Sequence, residues 1–214
     1  TVMLSRSQHK IIVFDMDGVI FREKNFWLKL HSVFRTKQKG FQLTKKYLKA
    51  DYKKLVTEVL KLWKNRPANL YLNLVKQGKY VTGVKMTLKK LKKRGYYIVV
   101  ISSGSWHLLQ RALKNLPIDE GYANKLVIDD GKLTGISHQI VKNNNKVPLL
   151  RKICKKRSIS LRQVIAVGDG ENDIPLFRNV GFSIAFNPVS YKVARAANIT
   201  VKSSKLTDIL KFVQ

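Results

Sequence analysis

Three short, almost wholly apolar runs, each cut off by a cluster of polar residues and glycine, limit the folds open to this chain. Lys10 to Phe14 (KIIVF) stops at Asp-Met-Asp-Gly, Tyr97 to Ile101 (YIVVI) at Ser-Ser-Gly, and Val164 to Val167 (VIAV) at Gly-Asp-Gly. An apolar run of this length reads as a strand buried on both faces, with its carboxyl end opening onto a site. Weaker strand candidates follow at Phe182 to Phe186 and Ile199 to Val201. Between these runs lie helical patterns. Val84, Leu88 and Leu91 recur at helical spacing before Gly95, a helix stop, and Leu149, Leu150 and Ile153 repeat that spacing after Pro148, which suits a first turn. Strands alternating with helices predict an α/β fold of parallel β-α-β units with right-handed crossovers. Ligands in such sheets bind outside the carboxyl ends of the strands, where all three polar clusters sit.

The stretch from about Arg22 to Tyr80 lacks strand runs. Tyr47, Leu48, Tyr52, Leu55, Val59, Leu62 and Trp63 follow helical spacing, so it reads as a helical insertion after the first strand. Val127 to Ile136 (VIDDGKLTGI) predicts a β-hairpin turning at Asp130-Gly131. Asn143-Asn144-Asn145 reads as a loop.

Composition narrows the function classes less sharply. The chain has 214 residues, enough for one core and a smaller satellite, and its net charge is +29. Such basicity attracts polyanions, nucleic acid among them, yet the 42 Lys and Arg are scattered and form no basic tail, which favours a solvated surface. Focusing of phosphorylated substrates is a further use of the same charge. No apolar run approaches the roughly 18 residues that span a bilayer, so no membrane association is expected. Thr1 to Lys10 is polar and is expected not to be a signal peptide. A single cysteine, Cys154, permits no internal disulfide and fits the cytoplasm.

The chemistry is carried by the strand ends. Asp15 and Asp17 are two carboxylates at one strand end, which repel and call for a cation or a shared proton. Mg²⁺, a hard cation with oxygen ligands, suits them. Gly168-Asp169-Gly170-Glu171-Asn172-Asp173 adds three acids in six positions. Five of the thirteen acidic residues thus gather at two strand ends of an otherwise basic chain, which argues for a metal site. Ser103 and Gly104 stand between a strand and a helix, where a hydroxyl and backbone N–H groups can grip a phosphate; a simple N-cap is the alternative for Ser103. Lys146 is placed to reach the same phosphate, with Lys142 as its competitor.

In this order the four pieces DMDG, SSG, a lysine and GDGEND resemble the haloacid dehalogenase superfamily, and most closely its phosphoserine phosphatase-like branch. LKKRGYYIVVISSG, ANKLVIDDGKLTG and VIAVGDGENDIPLF extend the likeness over most of Thr82 to Gln214. The resemblance implies a Rossmann-like core of residues 1–21 and 81–214 with an inserted helical (C1-type) cap, residues 22–80. It also implies a Mg²⁺-dependent phosphatase acting on a small phosphomonoester through an aspartyl-phosphate. Asp15 then resembles the nucleophile and a metal ligand, and Asp17 the general acid, with its carbonyl on Mg²⁺. Asp169 and Asp173 complete the metal site, the latter as a supporting acid. Gly18, Ser103, Gly104, Lys146 and Asn172 hold the phosphate. Two positions leave the pattern: Lys24 and Val59 stand where the branch carries the glutamate and arginine that recognise serine, with Glu23 and Arg66 nearby. Another anionic metabolite or a nucleotide therefore stays open as substrate, as does a basic nucleic-acid-associated protein with a lapsed site. Oligomeric state is left open.

Overall fold

The computed structural model describes residues 10–142 and 145–213, so Thr1 to His9, Asn143, Asn144 and Gln214 fall outside it. A seven-stranded sheet organises the chain: β1 (Ile11–Phe14), β2 (Tyr97–Ser105), β3 (Glu120–Asp129), β4 (Lys132–His138), β5 (Val164–Gly168), β6 (Phe182–Phe186) and β7 (Ile199–Val201). Their order across the sheet is β4-β3-β2-β1-β5-β6-β7. All neighbours run parallel except β3 and β4, an antiparallel hairpin. Every residue of β1 is buried because layers cover both sheet faces, which explains its unbroken apolar run.

The pleat sorts side chains between two cores. Ile12, Phe14, Ile98 and Val100 face one side, packed with Leu88 and Leu91 of α5 (Val84–Lys93) and Leu108 and Leu109 of α6 (Trp106–Asn115). Ile11, Val13, Val99 and Ile101 face the other, packed with Leu150 and Ile153 of α7 (Val147–Lys156) and Phe177 of α8 (Ile174–Phe177). The last helix, α9 (Tyr191–Ala196), adds Val193 to that second core. α5 stops where expected, with Gly95 in the left-handed region at φ 84°.

Four helices fill the insertion: α1 (Phe26–Val33), α2 (Lys37–Tyr47), α3 (Tyr52–Trp63) and α4 (Ala68–Gln77). Phe26, Leu30, Trp63 and Tyr71 join the first core, so the insertion shares its apolar interior with the sheet. It is also stitched to the β3–β4 hairpin through Asn65 N to Leu133 O (2.8 Å) and Ala68 N to Gly131 O (2.8 Å).

Two differences from the sequence reading stand out. The hairpin turns at Asp130-Gly131, but β3 starts at Glu120, seven residues before Val127, because its first part pairs with β2 while only its second part pairs with β4. β2 continues through Ser105, so the helix expected directly after Ser103-Gly104 begins only at Trp106.

Leu91 is fully buried between α5 and the sheet. Leu91→Ala is expected to cost about 2–5 kcal/mol, read as a lowered urea midpoint with an unchanged slope.

Candidate active site

β1 lies between β2 and β5, where the sheet order changes direction, and its register sets the site. Phe14 pairs with Val167, and Asp15 N donates to Val167 O at 2.9 Å. The residues that follow β1 and β5 therefore emerge side by side, which brings Asp15 beside Gly168-Asp169. Lys146, the N-cap of α7, reaches in from below and is wholly buried. Its Nζ lies 2.7 Å from Asp15 Oδ1 and 2.7 Å from Asp173 Oδ1. Asp173 closes the arrangement, since its Oδ2 accepts from Asp169 N (3.1 Å) and Gly170 N (3.0 Å). Both Asp173 oxygens are thus engaged, one on the ammonium and one on the backbone of the turn that carries Asp169.

Asp17 belongs to a separate set of contacts. Its Oδ2 accepts from Phe26 N, the first amide of α1, at 2.9 Å, while its Oδ1 is buried without a hydrogen bond. Gly18 follows with φ 74°, and a Cβ on it would overlap the Asp169 carboxylate. Only glycine lets the loop after β1 turn back over Asp169.

The phosphate-side residues are rearranged relative to the sequence reading. Ser103 is half-buried at the end of β2, and its carbonyl takes Trp27 Nε1 (3.0 Å) and Asn124 Nδ2 (3.3 Å). It is not the helix cap: Ser105 is, accepting from Leu108 N at 3.2 Å. Ser102 is the serine buried beside the aspartates, with Oγ accepting from Gly104 N at 2.9 Å. A Cβ built on Gly104 would sit 3.0 Å from Ser102 Oγ and 3.5 Å from Asp17 Oδ1, so the three share one small space. Ser102 is buried and Ser103 half-buried, where the pairing of β2 with β3 is irregular between Ile101 and Ser105. Elsewhere, Lys142 is exposed, which leaves Lys146 as the lysine on Asp15. Glu171, counted among the clustered acids, is exposed and pairs with Lys192 at 3.2 Å. Asn172 is half-buried next to Gly170.

The electrostatics explain why a cation is needed. Oxygens of Asp15, Asp169 and Asp173 lie within 4.8 Å of one another. Three carboxylates against one ammonium leave two negative charges, the complement of a divalent ion. Burial, with Asp173 adding to it, raises the Asp15 pKa to about 6 despite Lys146. Burial with Asp15 and Asp173 raises Asp169 to about 8, and burial foremost raises Asp17 to about 7. Burial lowers the Lys146 pKa, but Asp15 and Asp173 outweigh it, so the net shift is upward and the ammonium is kept. Asp169 Oδ2 is buried with no hydrogen-bond partner. A hard cation bound there satisfies that orphan oxygen and offsets the repulsion, so the residues present fit a metal.

These raised values set the sign of a pH effect. The folded protein holds protons that the unfolded chain, with carboxylates near pKa 3.9, releases. The stability this contributes is complete below about pH 4 and is lost as pH rises through the folded values of about 6 to 8. Metal-free protein is expected to melt at progressively lower temperature between those limits. Added divalent cation is expected to raise the melting temperature more at pH 8 than at pH 5. Thermal scans with and without chelator check both.

Residues 12–178 match the haloacid dehalogenase-like hydrolase family. The chain belongs to that family. It is 30% identical over 213 residues to the phosphoserine phosphatase of Methanocaldococcus jannaschii, covering 96% of this chain and 98% of that one. It is also 30% identical over 210 residues to that of Saccharomyces cerevisiae, covering 96% and 67%. A phospho-aspartyl intermediate analogue of phosphoserine phosphatase superposes with TM-score 0.85 at 29% identity, covering 97% of this chain and all of that one. A substrate-bound phosphoserine phosphatase complex gives 0.84 at 29%, with coverage of 97% and 100%. This hydrolase is thus phosphoserine phosphatase-like in sequence and in fold.

Ser102 and Trp27 were not singled out by the sequence reading; nothing local marks Trp27, which meets the end of β2 through a contact 76 positions away.

Proposed function

We propose that this hydrolase is a Mg²⁺-dependent phosphatase that cleaves a small phosphomonoester, phosphoserine-like in size, through a phosphorylated Asp15. The observation that carries this reading is the Lys146 ammonium held at 2.7 Å from both Asp15 and Asp173, beside the unpartnered Asp169 oxygen. Asp15 Oδ1 is committed to Lys146 and to Met16 N (2.7 Å), which leaves Oδ2 as the nucleophilic oxygen.

Asp15 Oδ2 attacks phosphorus and the bond to the leaving oxygen breaks. Protonated Asp17 gives that oxygen its proton, so an alcohol departs. Its pKa of about 7, raised by burial, keeps a useful fraction protonated near neutrality. Asp17, now charged, takes a proton from water, which attacks phosphorus and frees inorganic phosphate and Asp15. Splitting hydrolysis in this way replaces one hard displacement with two easier ones. Ser102 Oγ and the amides of Gly18 and Gly104 are the phosphate donors we favour, with Lys146 offsetting charge; Ser103 and Asn172 frame the site. Asp15 and Asp169 would hold Mg²⁺ through their carboxylates, joined by the Asp17 carbonyl, and Asp173 serves by fixing Lys146 and the Asp169 turn. The ion, once bound, supplies charge neutralisation at the phosphoryl oxygens.

We further propose that residues 1–21 and 81–214 form the catalytic core and residues 22–80 its cap, and that the protein acts in the cytoplasm, as its lone buried thiol suggests. No helix among the described residues is long and apolar enough to cross a membrane.

Asp15→Asn is expected to lower turnover of phenyl phosphate by at least about a thousandfold while the fold is retained. Near-normal turnover would refute the mechanism. Ser102→Ala is expected to reduce kcat/KM by about tenfold or more, and Ser103→Ala by much less. A larger loss at Ser103 returns the phosphate hydroxyl to that residue.

A further inference from the structure

A cavity of about 360 Å³ opens beside the reaction centre, between the loop after β1, the segment leading into α5, and the ends of β6 and β7. Arg22, Lys24, Thr82, Asn187 and Ser204 line it, together with Gly18, which packs on Asp169. Two cations and several hydroxyl or amide groups face this space, and no acidic residue among those described lines it. Among the described residues neither cation is in a salt bridge, and Lys24 acts on the Asp169 carboxylate only at longer range, lowering its pKa against the larger upward effect of burial. Lys24 Nζ donates only to Asn187 O (3.0 Å), and Arg22 donates to Tyr80 O (3.1 Å) and Thr82 Oγ1 (2.9 Å). Two acids on neighbouring segments are engaged elsewhere: Glu23 pairs with Lys29 (3.0 Å), and Asp208 accepts from Ser203 Oγ (2.5 Å).

Asn187 shows that the cavity wall is built. It sits in the left-handed region at φ 46°, with its side chain exchanging two hydrogen bonds with the Ser203 backbone (2.6 and 2.9 Å). That exchange fixes the carbonyl on which Lys24 rests. A wall lined by an ammonium and a guanidinium offers charged donors to an anion. It also repels a leaving group that bears an ammonium.

We infer that this cavity is a second anion subsite, which seats a carboxylate or further phosphate carried by the substrate's leaving group. The inference rests on the phosphatase reading and narrows its substrate class to phosphomonoesters whose leaving group is anionic and carries no amine.

Three esters of the same length test it: 3-phosphoglycerate, with a carboxylate; glycerol 3-phosphate, with a hydroxymethyl group in its place; and O-phosphoserine, with a carboxylate and an ammonium. Wild-type kcat/KM is expected to favour 3-phosphoglycerate over each of the others by about tenfold or more. Lys24→Gln is expected to bring the ratio to glycerol 3-phosphate towards one, and Lys24→Glu to shift preference towards O-phosphoserine. Lys24 is exposed and holds a single carbonyl, so both variants are expected to keep the wild-type melting temperature. Ratios that are near one in the wild type, or that stay unchanged in both variants, overturn the subsite. If no ester and no phenyl phosphate is cleaved, the phosphatase reading fails. The subsite is then judged by calorimetric affinities of Asp15→Asn for 3-phosphoglycerate against glycerol 3-phosphate, with equal affinities overturning it.

Discussion

The site rests on one wholly buried ammonium. Lys146 has no access to water, and burying an unpaired charge is costly enough that its two carboxylate partners are obligatory. Each partner has a further task. Asp15 also accepts from the Met16 amide, while Asp173 passes the constraint on to the Asp169 and Gly170 amides. A displacement of Lys146 therefore moves Asp15 and the Asp169-Gly170 turn together. The remaining negative charge sets the demand for a divalent cation, so metal binding, proton binding and site geometry are linked parts of one charge balance.

The helical insertion touches the strand ends through its first helix. Phe26 N on Asp17 and Trp27 Nε1 on the Ser103 carbonyl tie the start of α1 to the ends of β1 and β2. The first contact is made by the amide end of a helix, which favours a carboxylate partner and tempers the rise that burial imposes on Asp17. Trp27 also packs near Trp63, with ring centroids 5.6 Å apart, which joins α1 and α3 beside the strand ends. Positive charge is spread over the surface but gains local meaning at Arg22 and Lys24, where two cations face a cavity without acids to pair them.

Much of this was legible from sequence because it depends on local rules. Unbroken apolar runs such as IIVF announce strands covered on both faces, and the acids that interrupt them mark the catalytic edge of the sheet. The Asp130-Gly131 turn, the Gly95 helix stop and the Pro148 helix start follow from backbone preferences of single residues. Asp15, Asp17, Asp169 and Asp173 were named from the acid clusters that follow two strands, and Lys146 from its place ahead of Pro148 and the family resemblance; the structure brings Asp15, Asp169, Asp173 and Lys146 together.

What sequence alone could not decide was register and distance. Whether Ser102 or Ser103 faces the aspartates turns on how far β2 continues, and that is settled by pairing with β3, a strand whose first half had no apolar run of its own. Glu171 looks equivalent to Asp173 in GDGEND, yet a single helical turn sends one to solvent and the other beneath Lys146. Trp27, Asn187 and the Arg22–Lys24 cavity depend on segments far apart in the chain. Composition and spacing choose strands and acidic edges because those are short-range properties; the choice among neighbouring side chains belongs to long-range packing, which only the folded chain specifies.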